Sequence, residues 1–168
     1  MRENLPARQQ HGRILHSENE KMRFYNNKQK KELEKHVEQT WGAQIKVNEI
    51  IEGGKKKLWH VSEDVKKIRT TKLRLETMGT YFARYDKRGE LRLSIEGSMK
   101  VGPYATKNVV RLTEKEMNEW IRGINLDKKT GKTGYVLLEY ENNYLGCGKA
   151  YSEGILNHVP KNRRIKNL

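Results

Sequence analysis

The chain has 168 residues, 35% of them apolar and 33% charged, and its 35 Lys and Arg exceed its 21 Asp and Glu to give a net charge of +14. No apolar run approaches the ~20 residues that cross a bilayer, the first residues lack the apolar stretch of a signal peptide, and a lone cysteine forbids an internal disulfide. These totals point to two small cores in a reducing, cytoplasmic setting, with nucleic acid as the expected partner of the charge excess and no membrane partner.

Residues 1–21 show no sustained periodicity and are expected to form a mobile tail, so the compact protein is expected to begin at Met22. Asn26 or Asn27 can cap a helix running to about Trp41, with Leu33, Val37 and Trp41 on one face and Gly42 closing it. Ile45 to Val47, Ile50-Ile51 and Lys57 to Val61 read as strands, the last two joined around Gly53-Gly54. Ser62 is placed to cap a short helix with Val65 and Ile68 inward. Met78 to Tyr85 and Glu90 to Ile95 read as a hairpin around Asp86-Lys-Arg-Gly89. In its second strand Leu91, Leu93 and Ile95 alternate with Arg92, Ser94 and Glu96, so one face is wet.

Gly97 to Ala105, with two glycines and Pro103, is the expected junction between domains at 22–100 and 101–168. Lys107 to Leu112 reads as a strand, and Thr113-Glu-Lys-Glu116 is a capping box opening a helix with Met117, Trp120 and Ile121 on one side. Asn125 to Gly134 is a charged loop. From Tyr135 onward, three apolar runs are separated by turn signals at Asn142-Asn143 and Ser152-Glu-Gly154, as in consecutive antiparallel strands. Gly146 and Gly148 flank Cys147 inside the middle run, which suggests a bulge or a close approach. Pro160 ends the last strand, and a basic ending follows.

That ending, Lys161, Arg163, Arg164 and Lys166, is the first candidate RNA-binding site, because lysines and arginines following a strand can neutralise phosphates and release counterions. A solvated tail is the alternative. Lys149, Lys107, Arg111 and Lys100 are candidates to extend the patch. Tyr144 and Tyr151 can stack bases or simply pack on a barrel. Cys147 lacks a neighbouring base and reads as a small buried hydrophobe rather than a nucleophile. The five histidines show no metal-ligand spacing. Gly131-Lys-Thr133 resembles the end of a phosphate loop, but Leu126 stands where that motif needs glycine, and a strand rather than a helix follows. No catalytic residue, metal or cofactor is expected.

The order strand, helix, three close strands, with Leu145-Gly-Cys-Gly-Lys149, resembles a PUA domain, a small pseudo-barrel that binds RNA. Together with Thr77-Met-Gly-Thr-Tyr-Phe-Ala83, Leu91-Arg-Leu-Ser94, Gly102-Pro-Tyr-Ala105, Gly134-Tyr-Val and Leu145-Gly, the chain over residues 22–160 resembles the Nip-seven family of ribosome-biogenesis factors, archaeal type. The resemblance implies an α+β fold: an α/β pre-PUA domain with an antiparallel sheet and helices, then a PUA-like pseudo-β-barrel with a short helix. It further implies a non-enzymatic protein that binds ribosomal RNA during large-subunit biogenesis and takes a ribosome-assembly or RNA-processing protein as a partner through the N-terminal domain. The basic ending also resembles PUA-like domains attached to ribosomal RNA cytosine-5 methyltransferases. An accessory role, delivering RNA to a modifying or degrading enzyme, is therefore the alternative expectation.

Overall fold

The computed structural model describes residues 22–67 and 79–166. The expected tail at 1–21, Ile68 and Met78 lie outside them. The fold is α+β, built on two sheets. The first is an antiparallel meander of β1 (Arg23–Phe24), β2 (Glu49–Gly53), β3 (Lys57–Val61), β4 (Thr80–Tyr85) and β5 (Leu91–Leu93), in that spatial order. The second is a curled half-barrel of β6 (Val109–Arg111), β7 (Gly134–Tyr140), β8 (Asn143–Ala150) and β9 (Ile155–Leu156). Within it β6 runs parallel to β7, while the β7–β8 and β8–β9 pairs are antiparallel.

Of the two candidate caps, Asn26 opens helix α1 (Asn27–Trp41). The Asn26 side chain accepts from the Gln29 amide, and the Gln29 side chain accepts from the Asn26 amide, so two otherwise orphan donors are satisfied. Leu33, Val37 and Trp41 are fully buried, and Gly42 closes the helix in the left-handed region at φ 69°. The carbonyls of its last turn are met by the second half of the chain: Trp41 accepts from the amides of Thr106 and Lys107, and Thr40 from the Asn108 side chain at 2.6 Å. The stretch Ile45 to Val47 is not a strand, because the Val47 amide donates to the Glu34 carboxylate at 2.9 Å instead of to a ladder. Ser62 does precede a short 3-10 turn, Glu63–Lys67.

Two expectations change at β5. The alternation stops at Leu93, because the Ser94 hydroxyl accepts from the Gly97 amide and opens α2 (Ile95–Val101). Ile95 therefore belongs to a helix, and the irregular junction expected at Gly97 to Ala105 is α2 followed by a 3-10 turn, Gly102–Tyr104. Its glycines are there for close approach. A Cβ on Gly97 would overlap the Phe82 carbonyl, and one on Gly102 would overlap the Tyr144 ring. Helix α2 thus sits directly on β8, and position 100/101 falls in its last turn.

Helix α3 (Glu114–Ile121) has the predicted capping box, with Thr113 and Glu116 satisfying each other's amides, and buries Trp120 completely. The Gly148 position explains its glycine: an added Cβ would lie 2.8 Å from the Trp120 ring and 2.5 Å from Ile155. Two apolar clusters result. One joins α1 and the first sheet to Tyr135, Leu137 and Cys147 of the second, and the other gathers Val136, Leu138, Trp120, Leu126 and Ile155.

Gly97→Ala tests this interlock. Removing a mid-helix glycine gains about 1 kcal/mol of helix propensity, but overlap with a backbone carbonyl costs about 1–3 kcal/mol, so a net loss of stability in urea titrations is expected. Tryptophan fluorescence, with Trp41 in one cluster and Trp120 in the other, should show one common midpoint. Two separated midpoints would mean that the sheets unfold independently.

Candidate nucleic-acid interface

The structure divides the eight predicted cations into committed and available ones. Lys149 is largely enclosed and spans the two halves: its Nζ lies 2.7 Å from Glu90 and 3.4 Å from Asp86, 4.9 Å from the centre of the Tyr135 ring. The Glu90 carboxylate, more than any other neighbour, raises the Lys149 pKa. Arg111 pairs with the buried Glu139 at 3.1 Å but is itself 89% exposed, so its outer side stays open to solvent. Lys100 lies within 3.2 Å of both ring nitrogens of His60, beside Gln44 and Tyr104, and burial lowers its pKa. Lys107 is exposed at the C-terminal end of α1; its amide is bonded to the Trp41 carbonyl, and its side chain has no ion-pair partner among the described residues. None of these four lines the hollow bordered by the basic ending.

The basic ending is an anchored segment rather than a free tail. Lys161–Arg163 form a 3-10 turn, and the Ile165 amide donates to the Ile121 carbonyl at 3.0 Å. Arg164 folds back over Gly123, where a Cβ would overlap its guanidinium, and donates to the Val159 carbonyl at 3.1 Å. Arg164 is thus a clamp as well as a charge. Arg163 pairs with Glu96 at 2.8 Å while half exposed. Lys161 and Lys166 are exposed and have no ion-pair partner among the described residues.

This segment forms one wall of a cleft of about 470 Å³ between the sheets. The opposite wall is the outer face of the first sheet, with Trp59, Tyr81 and Arg92, and its base is Gly146 and Cys147 of β8. Register shifts at Leu58/Trp59, so Leu58 faces Ala83 and Trp59 faces Tyr81, and both Phe82 and Ala83 turn into the core. The shift leaves Trp59 and Tyr81 side by side, ring centroids 5.1 Å apart. The wet face assigned to Arg92 by its place between Leu91 and Leu93 is this wall. The pairing of Trp59 with Tyr81 had no sequence signal, because it depends on the extra residue in β4.

His158, beside Tyr135 at 6.0 Å, also lines the cleft, and its Nε2 is buried with no hydrogen-bond partner among the described residues. Burial, reinforced by the cations of Arg92, Lys149 and Arg84, pulls its pKa down to about 4. Cys147 is buried, and burial pushes its thiol up to about 12, which leaves it unreactive. Tyr144 packs against the Gly102 backbone rather than offering a free face, whereas Tyr151 is 40% exposed. Among the described residues no cluster of His, Cys, Asp and Glu could hold a metal ion, and no helix is long and apolar enough to cross a membrane.

Comparison with known proteins matches residues 107–165 to the family described as the methyltransferase RsmF PUA domain. Over 150 residues the chain is 30% identical to a ribosomal RNA small subunit methyltransferase F of Vibrio campbellii, a match covering 84% of this chain and 31% of that protein. The chain therefore spans about a third of the length of the relative it matches. It carries a PUA-type domain, the kind of domain that binds RNA.

His158 gives this site a pH signature. Its folded pKa is about 4 against an ordinary 6.5, so between those values the unfolded chain binds more protons and stability falls as pH drops. The contribution is complete above the ordinary pKa and gone below the folded one. His60, lowered by burial and by Lys100, adds in the same direction. Melting temperatures between pH 7.5 and 5 should therefore fall less in His158→Gln than in the parent chain. Equal falls would mean that the imidazole is not held neutral.

Proposed function

We propose that this chain is a non-enzymatic RNA-binding module that holds ribosomal RNA for modification by a methyltransferase. The observation that carries the reading is that the PUA-type segment 107–165 supplies one wall of the Arg92- and Arg163-lined cleft, with the exposed cation Lys161 between the cleft-lining residues Pro160 and Asn162. The overall charge of +14 supports a polyanionic partner. The likeness to a ribosomal RNA methyltransferase supports ribosomal RNA as that polyanion and methylation as the reaction served. The chain's own cysteine, buried and protonated, supports a binding rather than a catalytic role. A second reading, an assembly factor of the large subunit, draws on the resemblance of residues 22–160 to the Nip-seven family. Pull-down from extract separates the two: a modification module recovers the RNA that is methylated, whereas an assembly factor co-fractionates with precursor large subunits. Incubated alone with ribosomal RNA and S-adenosylmethionine, the chain should transfer no methyl group, and any transfer would overturn the non-enzymatic reading.

Salt dependence tests the binding face. Neutralising Lys161, Arg163 and Lys166 to Gln should flatten the slope of log affinity against log salt by about 2, from roughly 0.7 per contact on single strands. Arg164 is left intact because it clamps the segment. The control neutralises Lys28, Lys31 and Lys35 on α1; Lys30 is excluded because it is paired with the buried Glu49 at 3.1 Å. A slope lost in the control and kept in the C-terminal variant would move the binding face to α1.

A further inference from the structure

Resting on that RNA-binding reading, we infer that the cleft between the two sheets takes one unstacked base of single-stranded RNA, seated on the Trp59–Tyr81 pair, with Arg92 and Arg163 at its phosphate and the His158 Nε2 at its polar edge. Four independent features converge there. Trp59 and Tyr81 are only half-buried, although they lie on a sheet whose other face is packed, and their rings, tilted 45° to each other, give two adjoining aromatic faces against which any base can stack. The cleft, about 470 Å³, lies within the ~300–1,000 Å³ range of small-ligand sites.

Arg92 faces Arg84 directly across the β4–β5 ladder, and neither has a carboxylate partner among the described residues. Like charges placed opposite each other in a ladder are destabilising, and an incoming phosphate relieves that repulsion. Among the described residues the only carboxylate in the cleft wall is Glu96, which Arg163 already engages at 2.8 Å. Finally, the His158 Nε2 is a buried polar atom with no partner among the described residues, a costly state that a base edge can satisfy. Because the imidazole is held neutral, it meets that edge as a hydrogen-bonding group and not as another cation. A paired base presents no free face to such a floor, so the cleft selects unpaired RNA.

The test uses the full chain with a fluorescein-labelled single-stranded ribo-oligonucleotide and a duplex of the same sequence, across a salt series. Trp59→Leu and Tyr81→Leu should each weaken single-strand binding by about 5- to 100-fold while leaving the salt slope and the duplex affinity unchanged, because stacking releases no counterions. Tyr81→Phe, which keeps the ring and loses only the hydroxyl bonded to Arg92, should bind closer to the parent than Tyr81→Leu does. Arg92→Gln should lower the single-strand slope by about 0.7. An oligonucleotide carrying 2-aminopurine should change its emission on binding the parent and not on binding Trp59→Leu. Thermal melts verify folding, and Tyr81→Leu with Arg92→Gln carry the test if Trp59→Leu does not fold. Unchanged single-strand affinity in folded Tyr81→Leu, or 2-aminopurine emission that does not respond to the parent, overturns the cleft assignment while RNA binding itself stands. Failure of the parent to bind either RNA overturns the RNA-binding reading, and the inference falls with it.

Discussion

Strand β7 is the constraint on which the molecule depends. Its residues alternate between two clusters: Tyr135 and Leu137 face α1 and the first sheet, and Val136 and Leu138 face Trp120 and Ile155. A strand apolar on both faces needs a layer on each side. Burying one such aliphatic side chain stabilises by about 1.5–3 kcal/mol, so exposing either face of β7 would cost several of these at once. The exception on the strand is informative. Glu139 is buried, yet it accepts from the Asn142 amide at 2.7 Å and from Arg111 at 3.1 Å, which fixes the turn into β8.

The surplus of positive charge is distributed by the same architecture. Lys149 and the Tyr135 hydroxyl both reach Asp86, joining β7 and β8 to the β4–β5 turn. Burial works to raise the Asp86 pKa, but the amides of Glu90 and Arg88, with Tyr135 and Lys149, outweigh it and hold it low. Lys30 is similarly committed to the buried Glu49, and Lys128 to Glu116. Breaking an enclosed pair strands a charge and costs more than the pair contributes over an apolar equivalent. Cations without such partners include Arg84 and Arg92 on the outer face of the first sheet and Lys161 and Lys166 along the anchored C-terminal segment, besides exposed lysines on α1 and Lys107 at its end.

The cleft follows from these fixed points. Helix α2 can lie on β8 only because Gly97 and Gly102 let backbones and the Tyr144 ring come close. That brings the outer face of the first sheet level with the end of the chain. The Arg164 clamp over Gly123 then holds residues 158–163 opposite Trp59 and Tyr81. Rigid elements on both sides give the site a shape that a flexible basic tail would lack.

The sequence by itself determined the local structure. Asn26 with Gln29, and Thr113 with Glu116, start their helices through bonds spanning three residues, and Gly42 ends α1 in a conformation that favours glycine. The apolar run of β7 and the wet side of β5 were legible for the same reason: the period of a strand is written in neighbouring residues. The helix at Ile95 is not legible locally, because Gly97 within it is a weak helix former, and the reasons for Gly97 and for Gly102 just beyond the helix are contacts with Phe82 and Tyr144, distant in the chain. Likewise, nothing local separates Lys149, enclosed by Asp86 and Glu90, from Lys161, which is exposed. Only the tertiary structure decided that β6 runs parallel to β7, that a shifted register sets Trp59 against Tyr81, and that the basic ending closes a cleft rather than trailing in solvent. Each of these is a pairing between remote segments, settled by which faces had to be buried together and not by any residue's preference for its own backbone.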